Sequence, residues 1–507
     1  MPYENKKIVG VVGGGAMGRG ILQLFAEAGH EVRVFDAAEN AAEKAGLFVA
    51  GMIGRAVDKG RYTRDQGEAL IARVKPAVAL SDLAGCDIVI EAIVEDIGVK
   101  QKVFAAIEDV VSEQAIIVSN TSSLVVAEIA AKCRQPGRIA GLHFFNPVPL
   151  MKVVEIIAAV RTSAATVESL RGLVAGTGHR AVITADQPGF LVNHAGRGLY
   201  TEGLRVLEER VAAPADVDTL MREAAGFRMG PFELLDLTGL DVSGKVMESI
   251  YQQFQHEPRF RPSSLVRPRI AAGLFGRKTG EGWYAYDALS KKIAPDEACA
   301  APLLPAGLKL WIDDSADDRE SIAALASAAG VERVGSSAEA DLLVVQFWGW
   351  DASGYAVDKG LDASKLVALD PLPGLDKRRT LMLSAVTTPG ARDAALALFG
   401  TGGARLTLIN DSCGFVVQRI LATIVNIAAD IAQRGIASIA DIEDAVRLGL
   451  GYPQGPLSWG DRIGGARVLT ILQNMQAVTG DPRYRPSPWL TRRVRLGLSL
   501  LTPEAQR

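Results

Sequence analysis

Lys7-Ile8-Val9-Gly10-Val11-Val12-Gly13-Gly14-Gly15-Ala16-Met17-Gly18 is the first stretch of the chain that reads as ordered structure. The apolar run Ile8 to Val12 predicts a buried strand and the glycines a turn, while Ile21, Leu22, Leu24 and Phe25 predict the inner face of a helix. Gly13, Gly15 and Gly18 fit G-x-G-x-x-G, and each has a task in a dinucleotide site. Gly13 permits the tight turn, Gly15 lets backbone approach a pyrophosphate, and Gly18 lets the helix pack close to the strand. The pyrophosphate then sits on the N–H groups and positive dipole end of the helix, whose first turn holds Ala16 and Met17. Gly29 ends that helix, Glu31 to Phe35 reads as a second strand, and Asp36 stands 18 residues beyond Gly18. An acid there accepts hydrogen bonds from the adenosine ribose hydroxyls and repels a 2′-phosphate, which points to NAD in preference to NADP.

At 507 residues the chain is too long for one core, so several domains are expected. Its net charge is −3 with no long basic run, which argues against nucleic acid as the main partner. Cys86, Cys133, Cys299 and Cys413 are far apart in sequence, so neither a zinc site nor a disulfide framework is expected. Met1 to Lys7 lead directly into the first strand, leaving no room for a signal peptide, and no apolar run approaches the ~20 residues of a membrane span. These readings together predict a cytoplasmic protein.

From residue 40 to 75, Lys44, Arg55, Lys59 and Arg61 recur at helical spacing, which reads as a solvated helix face and not as a phosphate site. Cys86 to Ala92 and Ala115 to Val118 read as further strands, and strands alternating with helices indicate a parallel sheet. Ligands bind such sheets beyond the carboxyl ends of the strands, where Glu95, Asn120 and Ser122 lie. Next, Arg138 to Ile157 reads as a strand, a turn bounded by Pro147 and Pro149, and a returning strand. That hairpin would bring His143 and Glu155 together, as a general base and the carboxylate that orients it.

Gly141-Leu142-His143-Phe144-Phe145-Asn146-Pro147-Val148-Pro149 followed by Val153-Val154-Glu155 closely resembles the L-3-hydroxyacyl-CoA dehydrogenases of β-oxidation. The resemblance continues through Asp186 to Asn193, Met229 to Asp236 and Lys278 to Tyr284, in family order, and spans residues 5 to about 287. It implies His143 as base, Glu155 as its partner, Ser122 and Asn193 as substrate contacts, and Glu95 and Lys100 near the cofactor. Asn120 joins the cofactor candidates and Asn146 the substrate candidates; no metal is expected. The resemblance also implies an all-α domain that closes over an acyl-CoA substrate and carries a dimer contact.

The second half is an internal repeat. Asp411 to Gln418 copies Asp186 to Asn193, and Gly455 to Asp461 copies Gly230 to Asp236, both at an offset of 225 residues. The expected organisation is an α/β Rossmann-type NAD-binding domain (1–185), a helical domain (186–290), a linker (291–305), a degenerate Rossmann-like domain (306–405) and a second helical domain (406–507). The two helical copies are expected to pack as an intrachain pseudo-dimer, and a homo-oligomer is compatible with this. No G-x-G-x-x-G precedes Asp313, and in approximate alignment Leu372 takes the place of Ser122, Ser384 of His143 and Gln418 of Asn193. The second half is therefore expected not to catalyse, and Trp348 and Trp350 are expected to serve packing.

This long two-copy form resembles the dehydrogenases of bacterial phenylacetate catabolism that act on 3-hydroxyadipyl-CoA, and also some 3-hydroxybutyryl-CoA dehydrogenases. Two other readings compete with this one. A dehydrogenase of small β-hydroxy acids would rely on a lysine base, against which the His143/Glu155 hairpin argues. A non-catalytic NADH-binding relative would not need Ser122, His143, Glu155 and Asn193 together.

Overall fold

The computed structural model describes residues 6–293 and 302–504. Two compact units emerge: residues 1–194 with 434–450, and residues 195–433 with 451–507. These units cut across the boundaries expected from the sequence, because Arg434–Leu450 leaves its neighbours in the second helical domain and joins the first unit. Of the expected linker, residues 294–301 lie outside the described residues. Its first residues are folded: Lys292 bridges Tyr286, and Ile293 N donates to Ala285 O.

In the first unit the strands are β1 (Ile8–Val12), β2 (Glu31–Phe35), β3 (Val74–Pro76), β4 (Ile88–Glu91), β5 (Ile116–Ser119), β6 (Ile139–Phe144), β7 (Val153–Ala158) and β8 (Arg180–Ala185). They form a sheet of order β3-β2-β1-β4-β5-β6-β7-β8. Every neighbouring pair is parallel except β6 and β7. The central strands are mostly apolar, since helices cover both faces of such a sheet. Gly13 has φ +109°, and a Cβ on Gly18 would stand 1.8 Å from Gly13 O. The first-strand turn and the Ala16–Glu27 helix therefore close on each other only because both positions are glycine.

The inserted segment completes this sheet's outer side. Ala185 N, on the last residue of β8, donates to Ile436 O. The Ile439–Gly449 helix then packs on β7 and β8, clamped by Arg180 against Asp441 (2.7 Å) and Asp444 (2.8 Å).

In the second unit a smaller sheet has the strands β9 (Lys309–Ile312), β10 (Glu332–Arg333), β11 (Leu342–Val345), β12 (Leu366–Leu369), β13 (Arg379–Leu383) and β14 (Leu406–Ile409). Their order is β10-β9-β11-β12-β13-β14, and only the β12/β13 pair is antiparallel. The same exchange recurs here: Asn410 N donates to Val211 O, and Glu223 receives Arg378 and Arg405. Positions 410 and 211 are the 225-residue counterparts of 185 and 436.

Registers identify the equivalent strands and overturn part of the expected alignment. Arg379 pairs Leu406 on a parallel neighbour, as Val154 pairs Ala181, so β13 is the counterpart of β7. Thr380 then stands where Glu155 stands. Asp370 N donates to Thr380 O one step beyond the β12/β13 pairs, which puts Asp370 at the register position of His143. Ser384 does not replace His143; it ends β13 and donates to Ala363 O. Nor does Leu372 replace Ser122, because it lies two residues past Asp370, beyond the end of β12, the strand that answers to β6. Gln418 keeps the place of Asn193 and donates to Asp370 Oδ1 at 2.9 Å.

Within this unit the two helical copies pack on each other. The Arg197–Glu208 and Val416–Gln433 helices approach so closely that a Cβ on Gly198 would stand 3.0 Å from Ile424. Arg419, fully buried, joins them by pairing with Glu202 and Glu209 at 2.7 Å each. The Val416–Gln433 helix is long and apolar enough to cross a membrane, but 83% of it is buried inside the fold, as a core helix is. Trp348 donates to Asp317 and lies under Arg467, a packing role.

Candidate active site

The first-strand turn leaves room for a dinucleotide. A Cβ on Gly15 would meet nothing within 4 Å, and the Ala16–Glu27 helix has no side-chain cap on its first N–H groups. Open space before uncapped N–H groups at a helix start suits a pyrophosphate. Asp36 follows β2 directly; its Oδ2 accepts from Gly14 N at 2.7 Å and its Oδ1 from Ala38 N at 2.8 Å. These bonds tie the acid to the glycine turn and fix its distance from whatever lies there.

Glu95 organises the next wall. Its Oε1 accepts from the Thr121 hydroxyl (2.6 Å), Ser122 N (2.9 Å) and Ser123 N (3.2 Å), pinning the turn after β5. Burial alone would raise the Glu95 carboxyl, but the Thr121 hydroxyl, the Lys100 ammonium and the Ser122 N–H hold it below its ordinary value. Lys100 does not reach the open face. It is 1% exposed and pairs with Glu91 at 2.6 Å and Glu95 at 3.3 Å. The buried Glu91 also accepts from Ser119 Oγ and Ile93 N. Lys100 is thus a buried cation that positions Glu95, a role hidden in the sequence because a helix lysine is ordinarily solvated. Asn120 Oδ1 accepts from Phe144 N, joining this turn to the histidine strand.

His143 and Glu155 are direct register partners on β6 and β7, with Nδ1 and Oε2 2.5 Å apart. The other carboxylate oxygen, Oε1, accepts from Leu191 N (2.9 Å) and Val192 N (2.7 Å). Glu155 is fully buried and held at both oxygens, so the imidazole is oriented by a group that is itself fixed. With Nδ1 engaged, Nε2 is the ring nitrogen left to exchange a proton. Phe145 and Phe190 flank the ring, with centroids at 4.5 and 5.9 Å. Asn193 follows immediately on the Leu191–Val192 donors, at the start of the Val192–Ala195 helical turn. Asn146 is exposed at the hairpin turn, before a cis Pro147.

The 191–192 donors were not foreseen. Asp186 to Asn193 stood out as a motif, but its task is set by the strand it lies against. Asp186 itself caps the Val126–Ile129 helix through Val126 N and Ala127 N. Among the described residues no group of three or more His, Cys, Asp or Glu side chains is placed to hold a metal ion.

Comparison with known proteins agrees with this arrangement. Residues 8–187 match the NAD binding domain of 3-hydroxyacyl-CoA dehydrogenase, and residues 189–286 and 414–501 match its C-terminal domain. A 3-hydroxyadipyl-CoA dehydrogenase of Escherichia coli K12 is 35% identical over 492 residues, covering 97% of this chain and 98% of that protein. The mitochondrial hydroxyacyl-coenzyme A dehydrogenase of Sus scrofa is 38% identical over 287 residues, 55% of this chain and 91% of that protein. The crystal structure of a 3-hydroxybutyryl-CoA dehydrogenase from Escherichia coli K12 superposes with a TM-score of 0.84 at 34% identity, covering 97% of this chain and 99% of that one. A glycine turn shaped for NAD, a histidine–glutamate pair on adjoining strands and likeness along nearly the whole chain lead to one assignment: the chain belongs to the family of NAD-dependent 3-hydroxyacyl-CoA dehydrogenases.

Proposed function

We propose that His143 is the general base of this dehydrogenase and that Glu155 orients it and supports its charge. The observation that carries this reading is the 2.5 Å contact between His143 Nδ1 and Glu155 Oε2. A substrate 3-hydroxyl is too weak an acid to ionise unaided. Its proton passes to His143 Nε2 as the C3–H electron pair leaves, and the carboxylate stabilises the imidazolium that forms. Bound NAD supplies the hydride acceptor, and the product is a 3-oxoacyl-CoA. Gly13, Gly15, Ala16, Met17 and Gly18 would hold its pyrophosphate and Asp36 its adenosine ribose, with Glu95 and Asn120 on the adjoining wall. Ser122 and Asn193 would fix the reacting oxygen, and Asn146 lies at the turn where substrate would arrive.

For the substrate we favour 3-hydroxyadipyl-CoA, as named for the Escherichia coli relative that matches both halves of the chain. We place the enzyme in the cytoplasm; the free thiols Cys86, Cys133 and Cys413 accord with a reducing compartment. The test is steady-state NADH consumption with acetoacetyl-CoA, longer 3-oxoacyl-CoAs and 3-oxoadipyl-CoA. The highest kcat/KM should fall to 3-oxoadipyl-CoA. A preference for acetoacetyl-CoA would replace that choice, and tight NADH binding without oxidation would favour a non-catalytic relative.

A further inference from the structure

The Ile439–Gly449 helix comes from the half that lacks the base, yet it ends against Val153 and Val192, the residues beside Glu155 and its backbone donors. Its last residue is glycine. Gly449 has no positive φ, so its backbone does not require glycine, and alanine would favour the helix by about 1 kcal/mol. What excludes a side chain is contact: a Cβ would stand 2.9 and 3.0 Å from the two Val192 methyls and 3.4 Å from Val153 Cγ1. Val192 N is the nearer of the two donors to Glu155 Oε1, and Val153 lies two residues before Glu155 on the same face of β7. Pushing Val192 outwards would therefore move the donors that hold the carboxylate.

The silent half supplies the contrast. Ala224 occupies the place of Gly449, Val417 that of Val192, and Thr380 that of Glu155. There Ala224, Leu372 and Val417 line a cavity of about 150 Å³. Glycine in close contact stands where a carboxylate is held; alanine beside a cavity stands where there is none.

We propose that the Ile439–Gly449 helix is a positioning element of the active site, with Gly449 setting the backbone of Val192 that fixes Glu155 and, through it, His143. The inference rests on the assignment of His143 as base. Catalysis by the first half then depends on a segment encoded in the second.

The test uses the full chain. Gly449→Ala should lower kcat about tenfold, since displacements below 1 Å at a reacting centre are costly. KM, NADH affinity and melting temperature should stay near the parent values. Adding Val192→Ala removes the opposed methyls and should restore kcat to within about threefold. Arg180→Met, which releases the helix from its other end, should lower kcat likewise, and Arg180→Lys should lower it less. Unchanged kcat in Gly449→Ala and Gly449→Val would overturn the proposal. So would kcat, KM and NADH affinity falling together without rescue, because that marks a structural role only. Failure of the base assignment shows separately, as turnover by His143→Gln.

Discussion

Glu155 faces His143 across the single antiparallel step of an otherwise parallel sheet, giving one oxygen to the imidazole and the other to the backbone of residues 191 and 192. The reversal matters because it sets two residues of one hairpin opposite each other at a strand edge. A carboxylate with both oxygens engaged cannot swing away when the ring becomes charged.

His143→Gln keeps a polar side chain of similar reach but cannot take the proton, so kcat should fall about 10²-fold or more with NADH binding little changed. Glu155→Gln should lose less, because the ring remains and only the supporting charge goes. Stopped-flow NADH consumption and direct NADH titration separate the two effects. Normal turnover by the His143 variant would transfer the base to another residue.

Asp36→Ala should relax the preference for NAD over NADP. The carboxylate that accepts from Gly14 N is also the negative charge a 2′-phosphate would meet. Paired kcat/KM values with NADH and NADPH measure this, and equal use of both by the unmutated chain would sink the reading.

Lys100→Met should leave the buried carboxylate of Glu91 and the half-buried one of Glu95 without their shared cation. Removing one partner of a buried ion pair costs about 3–5 kcal/mol, so the urea midpoint should drop markedly, and NADH affinity should weaken as the Thr121–Ser123 turn loosens. A variant as stable as the parent would show that Lys100 holds nothing.

Asp370 makes a prediction about pH. Burial, helped by the charge of Asp318, raises its carboxyl from 3.8 to about 7, although Leu372 N and Gln418 serve its Oδ1; its Oδ2 has no partner among the described residues. Below pH 4 both folded and unfolded chains hold this proton and no penalty exists. Between 4 and 7 only the unfolded chain releases it, so stability declines as pH rises and the penalty is complete above 7. Asp370→Asn cannot ionise, so its urea resistance relative to the parent should grow from pH 5 to pH 8, by up to about 3 kcal/mol. A gap that narrows with rising pH would refute this.

The full chain should bind one NAD. Where β1 runs into glycines, β9 runs into Asp313, whose carboxylate accepts from Ser315 and from the Tyr355 hydroxyl. Asp314, Asp317 and Asp318 follow and would repel a pyrophosphate. Calorimetric titration showing two equivalent sites would contradict this account.

What could be read from the sequence was local. The glycine turn, Asp36 and the His143/Glu155 hairpin each lie within a short stretch, where spacing alone sets geometry. The constant offset of 225 exposed the duplicated helices for the same reason. Strand equivalence in the second half is not local: residue similarity places Ser384 at His143, whereas direction and register place Asp370 there. The passage of residues 434–450 into the first unit left no local trace, since Ile436 and Ala185 meet only in the folded chain. Lys100 was similarly opaque, because its burial is decided by Glu91 and Glu95 together.

The two exchanged backbone bonds also set a timetable for biosynthesis. When Asn410 leaves the ribosome its partner, Val211, has long been made, so β14 closes at once. Ala185 must wait for Ile436, 251 residues later. At about 5–20 residues per second that is roughly 13–50 s in which β8 lacks the Ile439–Gly449 helix that packs on it, and apolar surface exposed in this way is where nascent chains aggregate. The half of the enzyme that is translated first is thus the last to be finished, and it is the interval most exposed to a chaperone.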